Sequence, residues 1–160
     1  MTALLLLAAL AAVQLIHYHP LLPDTIAVHF GTGGEPNGWS DKTEFVLVYG
    51  ATEAFIVLFG VALALILDRT PVNFINIPHR DYWLSEERRE GTITFMSSQI
   101  LWMEAGTLAF LIAIAQLVFK ENLGDAPPRL SGDFWYVLIA FVVAILWFSL
   151  RIILKFRRRD

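Results

Sequence analysis

Long apolar runs alternating with shorter polar segments set the pattern of this chain. Met1 to Ile16 has no charged side chain and is dominated by Leu and Ala, and apolar character resumes at Leu21 and Leu22. Phe45 to Leu67 is apolar except for Thr52 and Glu53 and is ended by Asp68, Arg69, Thr70 and Pro71. Thr92 to Phe119 is more polar at its start (Thr94, Ser97, Ser98, Gln99) and is interrupted by Glu104. Phe134 to Leu150, extending toward Leu154, opens on Trp135 and Tyr136 and ends among Arg151, Lys155, Arg157, Arg158 and Arg159. A bilayer-crossing helix needs about 20 apolar residues. The first run reaches that length only if His17 to His19 sit at the interface. The pattern therefore predicts an all-α integral membrane protein with four transmembrane helices and a short extracytoplasmic hairpin-like loop between the first two. It is one membrane domain, with helices over 1–19, 45–67, 92–119 and 134–154. An outer loop covers 20–44, a cytoplasmic segment 68–91, an outer connector 120–133 and a basic tail 155–160.

The first run has a rival reading as a cleaved signal peptide, since Ala9, Leu10 and Ala11 form an A-x-A-like site. It lacks a basic n-region, so a retained helix is expected. In the outer loop, Pro20 and Pro23 fix the exit from the first helix, and Ile26, Val28 and Phe30 alternate with Thr25, Ala27 and His29 at the period of a strand. Gly31, Gly33 and Gly34 permit sharp reversals, and Asn37-Gly38 is a tight-turn signal before Trp39. A compact hairpin follows, its apolar face of Ile26, Val28, Phe30 and Trp39 laid on the helix ends or at the lipid interface. In the central segment Pro78 breaks any continuing helix, while Tyr82 and Trp83 have rings suited to headgroup depth. Ser85 before Glu86 and Glu87 reads as an N-cap. Asn122 to Gly132, with Gly124, Pro127 and Pro128, is a turn-rich connector.

Composition reinforces the membrane reading: 56% of the 160 residues are hydrophobic and only 17% charged, and the mean hydropathy is +0.58. A net charge of −3 argues against a nucleic-acid partner. With no cysteine there is no disulfide, thiolate nucleophile or Cys-based metal site. Among the cations, Arg69, Arg80, Arg88 and Arg89 share a side with the basic C-terminus, and Lys42, Lys120 and Arg129 fall opposite. The positive-inside rule then puts both termini in the cytoplasm of a bacterial inner membrane and the 20–44 loop outside.

The string HPLLPDTIAVHF, followed by GEPNGWSDK and an apolar helix, resembles the Pro-Leu-Pro-Asp, His-Phe, Gly, Trp, Lys pattern of a bacterial membrane domain of unknown function that also occurs in the SdpI family of toxin-immunity proteins. The later NIPHRDYWLSEERR resembles a second signature, seen in short four-helix members of the same group. Ala27 stands where that pattern has its second proline, and Asn37 where it often has aspartate. The resemblance implies protection against a secreted toxic peptide, or retention of a transcriptional repressor at the membrane. It implies loop positions Pro23, Asp24, His29, Phe30, Trp39 and Lys42, and cytoplasmic positions Asn76, Pro78, Tyr82, Trp83 and Arg88.

Two readings of these positions compete. In one, Asp24 and His29 hydrogen-bond the backbone of an irregular loop, Trp39 packs and Lys42 anchors at the headgroups; in the other, the loop docks a ligand or peptide. His17, His19 and His29 with Asp24 raise a metal site, though His17 and His19 diverge if both are helical, and none is expected. Glu53 and Glu104 are intramembrane acids, each costing about 2.5–3.5 kcal/mol at a helix centre unless it faces a partner or water. Gly50, Glu53, Val57, Gly60 and Ala64 form one helical stripe, and Ser97, Glu104, Thr107 and Ala115 another, so the acids are expected on packed faces, sharing a proton if they approach. The chain has no phosphate loop, zinc helix or nucleophile elbow, so it is read as a non-enzyme without a cofactor. The expected function is an SdpI-like immunity or signalling protein recognising an extracytoplasmic peptide or lipid. The alternatives are a small proton- or cation-coupled transporter or channel subunit, acting as a homodimer because four helices barely enclose a pathway, and a structural membrane partner without ligand. Membrane lipid, a peptide toxin and another membrane protein are the expected partners.

Overall fold

The computed structural model describes residues 1–157, so Arg158 and Arg159 of the basic tail lie outside the described residues. In chain order come α1 (Thr2–Tyr18), β1 (Thr25–Phe30), β2 (Pro36–Asp41), α2 (Lys42–Arg69), a 3-10 turn (Val72–Phe74), α3 (Arg80–Trp83), α4 (Arg89–Asn122) and α5 (Asp133–Arg157). The central rod is α4, which touches α1, α2 and α5, while α1 also lies against α2. Among the described residues three helices, α2, α4 and α5, are long and apolar enough to cross a membrane, and α1 is a shorter apolar helix. With 34 residues, α4 is about 50 Å long and outreaches a hydrocarbon core of roughly 30 Å. On α5 the side chains of Val143, Leu146, Trp147 and Leu150 are all exposed. An apolar face of that extent is not tolerated in water, which marks this as a membrane protein.

Packing is organised in three tiers. Next to the hairpin, Leu15, Leu22, Ile26, Ala115 and Phe119 form a buried cluster. There the Tyr18 ring stacks on Phe119 at 4.7 Å, and Phe45 meets Phe119 edge-on at 6.0 Å. Midway, Leu4 and Ala11 of α1 pack on Ala105 and Leu108 of α4. At the far end, Ile75, Leu84 and Ile93 close the third cluster. Phe110 stacks on Phe141 at 4.3 Å and Phe95 meets Phe156 at 6.0 Å, so α5 runs antiparallel to α4. Met1 and Thr2 line a cavity with Asp68, Arg69 and Thr94, and Lys155 lies over Trp83. Both described chain ends therefore sit at the end of the bundle opposite the hairpin.

The β1 and β2 strands pair antiparallel, Thr25 against Asp41 and Phe30 against Pro36, with register shifts on both sides of His29. The expected turn at Asn37-Gly38 is not there: these residues belong to β2. Reversal occurs instead at Gly31–Glu35, where Gly31 N–H donates to Glu35 O (2.8 Å), Gly34 N–H donates to Gly31 O (2.9 Å) and Gly34 takes φ +86°. Glycine is needed at position 38 for another reason, since a Cβ there would come within 2.8 Å of His29 Cβ. The irregular register also breaks the simple two-faced strand. Ile26 and Ala27, adjacent in sequence, are both fully buried, Val28 and Phe30 are half-buried, and Trp39 is 54% exposed rather than packed.

Asp41 begins α2. Its backbone is extended and its Oδ1 accepts from Thr43 N–H at 2.7 Å and Glu44 N–H at 3.2 Å, satisfying two of the otherwise unpaired amides of the first turn. Those bonds, from Glu44 and then Thr43, hold its carboxyl below the usual aspartate value. Ser85, expected to cap the third span, does not, because α4 starts four residues later, at Arg89, with no side-chain cap. Ser85 Oγ instead donates to Glu87 Oε2 at 2.8 Å, within a turn in which Arg88 and Arg89 N–H both reach Ser85 O. The Glu87 carboxyl is held low by its own backbone amide and by Ser85.

Candidate functional site

Three separate ties lock the hairpin onto the bundle, and they define the site. At its base, Lys42 Nζ donates to Leu22 O at 3.0 Å and pairs with Asp24 Oδ1 at 3.0 Å, while Lys42 N–H donates to Asp24 O. Lys42 is thus turned into the protein and does not reach for headgroups as expected. The Asp24 carboxylate is 92% exposed, so the ion pair contributes at most about 1 kcal/mol and the bond to Leu22 O does more of the fixing. Behind the hairpin, Asn122 at the end of α4 acts as a third strand. Its Oδ1 accepts from Ala27 N–H (2.7 Å) and its Nδ2 donates to Ala27 O (2.9 Å) and to Val118 O (2.8 Å). All of this is buried, where an unpaired backbone group would cost about 1–3 kcal/mol. This explains Ala27: a small residue lets the strand approach the carboxamide.

The third tie is at the tip. Arg129 donates to Gly33 O through Nε (3.3 Å) and Nη2 (3.1 Å) and pairs with Glu35 Oε1 at 3.3 Å, while Leu130 N–H donates to Gly34 O at 2.9 Å. A Cβ on Gly34 would lie 2.8 Å from Leu130 O, so glycine there serves both the positive φ and the close approach. Between the tip, the end of α4 and the start of α5 lies a groove of about 560 Å³, lined by Val28, His29, Phe30 and the Gly31–Gly34 turn on one side and by Ile114, Val118, Phe134 and Trp135 on the other.

The sequence-marked loop residues divide accordingly. Asp24 and Lys42 are brought together. His29 pairs through Nδ1 with Asn37 Oδ1, not with backbone, and with Phe30 it faces the groove. Pro23 and Trp39 are exposed. The imidazoles do not converge: His17 meets the Tyr18 ring edge-on, and His19 Nε2 lies 3.3 Å from Thr43 Oγ1. Among the described residues no group of three or more His, Asp or Glu side chains is arranged to hold a metal ion.

At the opposite end, Tyr82, Trp83 and Arg88 form one unit. The Arg88 guanidinium lies 4.3 Å over the Tyr82 ring, and Trp83 is buried with Lys155 Nζ 4.6 Å over its face and Phe156 5.7 Å away edge-on. Trp83 was expected at headgroup depth; it is instead a bolt between the α3 segment and α5. Thr92 Oγ1 donates to Trp83 O at 2.8 Å, tying the same segment to α4. Asn76 and Pro78 are exposed beside this unit. His79, after Pro78, adopts a left-handed conformation (φ 53°) that turns the chain into α3.

The two acids take separate places. Glu104 packs against Gly60, where an added Cβ would lie 3.1 Å from Glu104 Cβ. Glu53 is only 5% exposed and its Oε1 has no hydrogen-bond partner. Since Gly60 lies seven residues, about 10 Å, along α2 from Glu53, the acids are at different depths and share no proton. Around them, Tyr49 OH donates to Leu111 O (2.6 Å) and Ser97 Oγ to Ala64 O (3.3 Å), while Gln14 Nε2 donates to Ile112 O (3.1 Å) and Gln116 Oε1 (3.0 Å). Gln14, Tyr49, Gln116 and Asn122 escaped the sequence reading. Their signal was their presence within or at the edge of apolar runs, where a carboxamide or phenol needs a partner.

Comparison with known proteins bears on the hairpin half. Residues 4–52 match the family model of DUF1648, a domain of unknown function. The DUF1648 match covers α1, the hairpin and the start of α2, so the base tie lies wholly inside it and the Asn122 and Arg129 ties reach it from outside. An uncharacterized protein of Archaeoglobus fulgidus is similar to the chain at 27% identity over 148 residues, covering 84% of this chain and 77% of that protein. No solved structure matches.

Proposed function

We propose that the protein is a four-span membrane recognition module, SdpI-like in role, whose hairpin cap binds a peptide or lipid on the outer face of a bacterial cytoplasmic membrane and so acts in immunity or signalling. One observation carries this reading: the hairpin is fixed at base, back and tip, yet leaves an aromatic-walled groove open between its turn and α5. A rigid loop with unfilled apolar surface loses little entropy when a ligand docks, which favours recognition over mere capping. The loop pattern resembling the SdpI family supports the same role. In this reading α1 also crosses, with His17 to His19 at its outer boundary, and both termini are cytoplasmic. Arg69, Arg80, Arg88, Arg89 and Lys155 lie at the bundle end away from the hairpin, and the positive-inside rule supports taking that end as the inner one.

The test is challenge of a deletion strain with secreted toxic peptides. The deletion should sensitise cells, wild-type protein should restore survival, and Phe30→Ala with Trp135→Ala should not, although the double variant accumulates in the membrane. Full protection by that variant would contradict the groove's role. A second reading, a small proton- or cation-coupled transporter subunit, is favoured by the unpaired buried oxygen of Glu53. Proton flux in liposomes that is lost in Glu53→Gln would support it.

A further inference from the structure

Beside Glu53, on the flank of the bundle and separate from the hairpin groove, is a pocket of about 360 Å³ between α1 and α2. Ala11, Leu15 and Leu108 form a buried floor, and exposed Ala12, Ala54 and Leu58 form the mouth, which opens sideways toward the surrounding lipid. Small residues shape it: Gly50 lets α2 approach Leu15 of α1 so closely that an added Cβ would lie 3.2 Å from Leu15 Cδ1. All lining residues other than Glu53 are Ala, Gly, Leu or Val, with backbone groups belonging to helices. Glu53 is the one ionisable residue on this apolar wall; it is 5% exposed, and its Oε1 is buried without a hydrogen-bond partner.

A buried carboxylate is retained only when something pairs it, and here neither Lys, Arg nor His lines the pocket. Glu104, which could have shared a proton, is held away at Gly60. A partner for the ionised form has to come from outside the chain, since without one the carboxyl stays protonated. We propose that this pocket is a lateral binding site for an amphiphilic amine, an apolar body seated on Ala11, Leu15 and Leu108 with its protonated nitrogen on Glu53. The carboxylate supplies the charge, the alanines and glycine supply the room, and the lipid-facing mouth supplies the route of entry. The site rests on neither functional reading above, since it needs no ligand at the hairpin and no ion flux.

The experiment is photo-crosslinking of the full chain in phosphatidylcholine vesicles with a diazirine-bearing decylamine, and with the matching decanol as control, read by peptide mass spectrometry. In wild-type protein the amine should label residues of the 8–15 and 50–58 segments, roughly tenfold or more above the alcohol and above Glu53→Gln, because the first comparison removes the cation and the second the carboxylate. Glu104→Gln should label like wild type. Ala54→Phe, which blocks the mouth while leaving Glu53 in place, should abolish labelling; circular dichroism and melting of each variant establish that it is folded. Equal labelling by amine and alcohol, equal labelling of folded Glu53→Gln, or undiminished labelling of Ala54→Phe would overturn the proposal and leave a groove filled by lipid chains or a carboxyl that is simply protonated.

Discussion

Asn122 shows how one side chain decides where a secondary element rests. It satisfies both backbone groups of Ala27 and the Val118 carbonyl at once, all within the protein interior. Asn122→Ala should destabilise the protein by roughly 1–3 kcal/mol for each backbone group left unpaired, read as a lowered melting temperature in detergent. Asn122→Asp, which sets a carboxylate oxygen against the buried Ala27 and Val118 carbonyls, should destabilise at least as much. A melting temperature unchanged in Asn122→Ala would refute the clamp. Asp41 carries a pH dependence. Its folded carboxyl titrates below the ordinary aspartate value of 3.8, so its capping contribution is present above that value and is lost as pH falls through the lower folded value. Protection of the Thr43 and Glu44 amides, relative to their intrinsic exchange, should fall as the pH drops below 3.8 and should not do so in Asp41→Asn, whose cap cannot titrate.

Elements here are set by apolar runs and joined by polar pins. Gly34 lets the hairpin turn meet the 129–130 connector, so Gly34→Val should break the Leu130 bond and loosen the tip while leaving the helices intact. A β-branched residue at positive φ and a Cβ 2.8 Å from a carbonyl both oppose it. The measurement is faster amide exchange at Leu130, and unchanged protection there would count against the tie. Trp83 is the corresponding pin at the other end. Trp83→Ala should cost about 3–5 kcal/mol and expose the α3 segment to trypsin at Arg80 and Arg88, because the ring no longer holds Lys155 and Phe156. Resistance to trypsin equal to wild type would contradict this role.

These pins also mark the limit of what was legible from residues alone. The apolar runs located α1, α2, α4 and α5 because helix length and bilayer thickness are one-dimensional constraints that composition can satisfy locally. The two stripes, with Gly60 on α2 and Glu104 on α4, were legible for the same reason, since helical periodicity fixes a face. What could not be read was pairing between distant segments. Lys42 folds inward because Leu22 O lies beside it, Trp83 is covered because α5 returns to it, and Asn37-Gly38 extends as strand because Gly38 fits under His29. In each case the partner lies eight or more residues away and local propensity pointed elsewhere.

At the scale of the whole molecule, the account rests on one arrangement: a hairpin held on one end of a bundle whose two described ends meet at the other. Its central claim is that the hairpin end lies outside the cell and the Trp83 end inside. The chain has no cysteine, so single cysteines can be placed without background. The most direct measurement is labelling of Thr32→Cys and Glu86→Cys in intact cells with a membrane-impermeant maleimide, before and after permeabilisation. Both positions are exposed. The account expects Thr32→Cys to react in intact cells and Glu86→Cys only after permeabilisation; the reverse pattern, or reaction of both from outside, would contradict it.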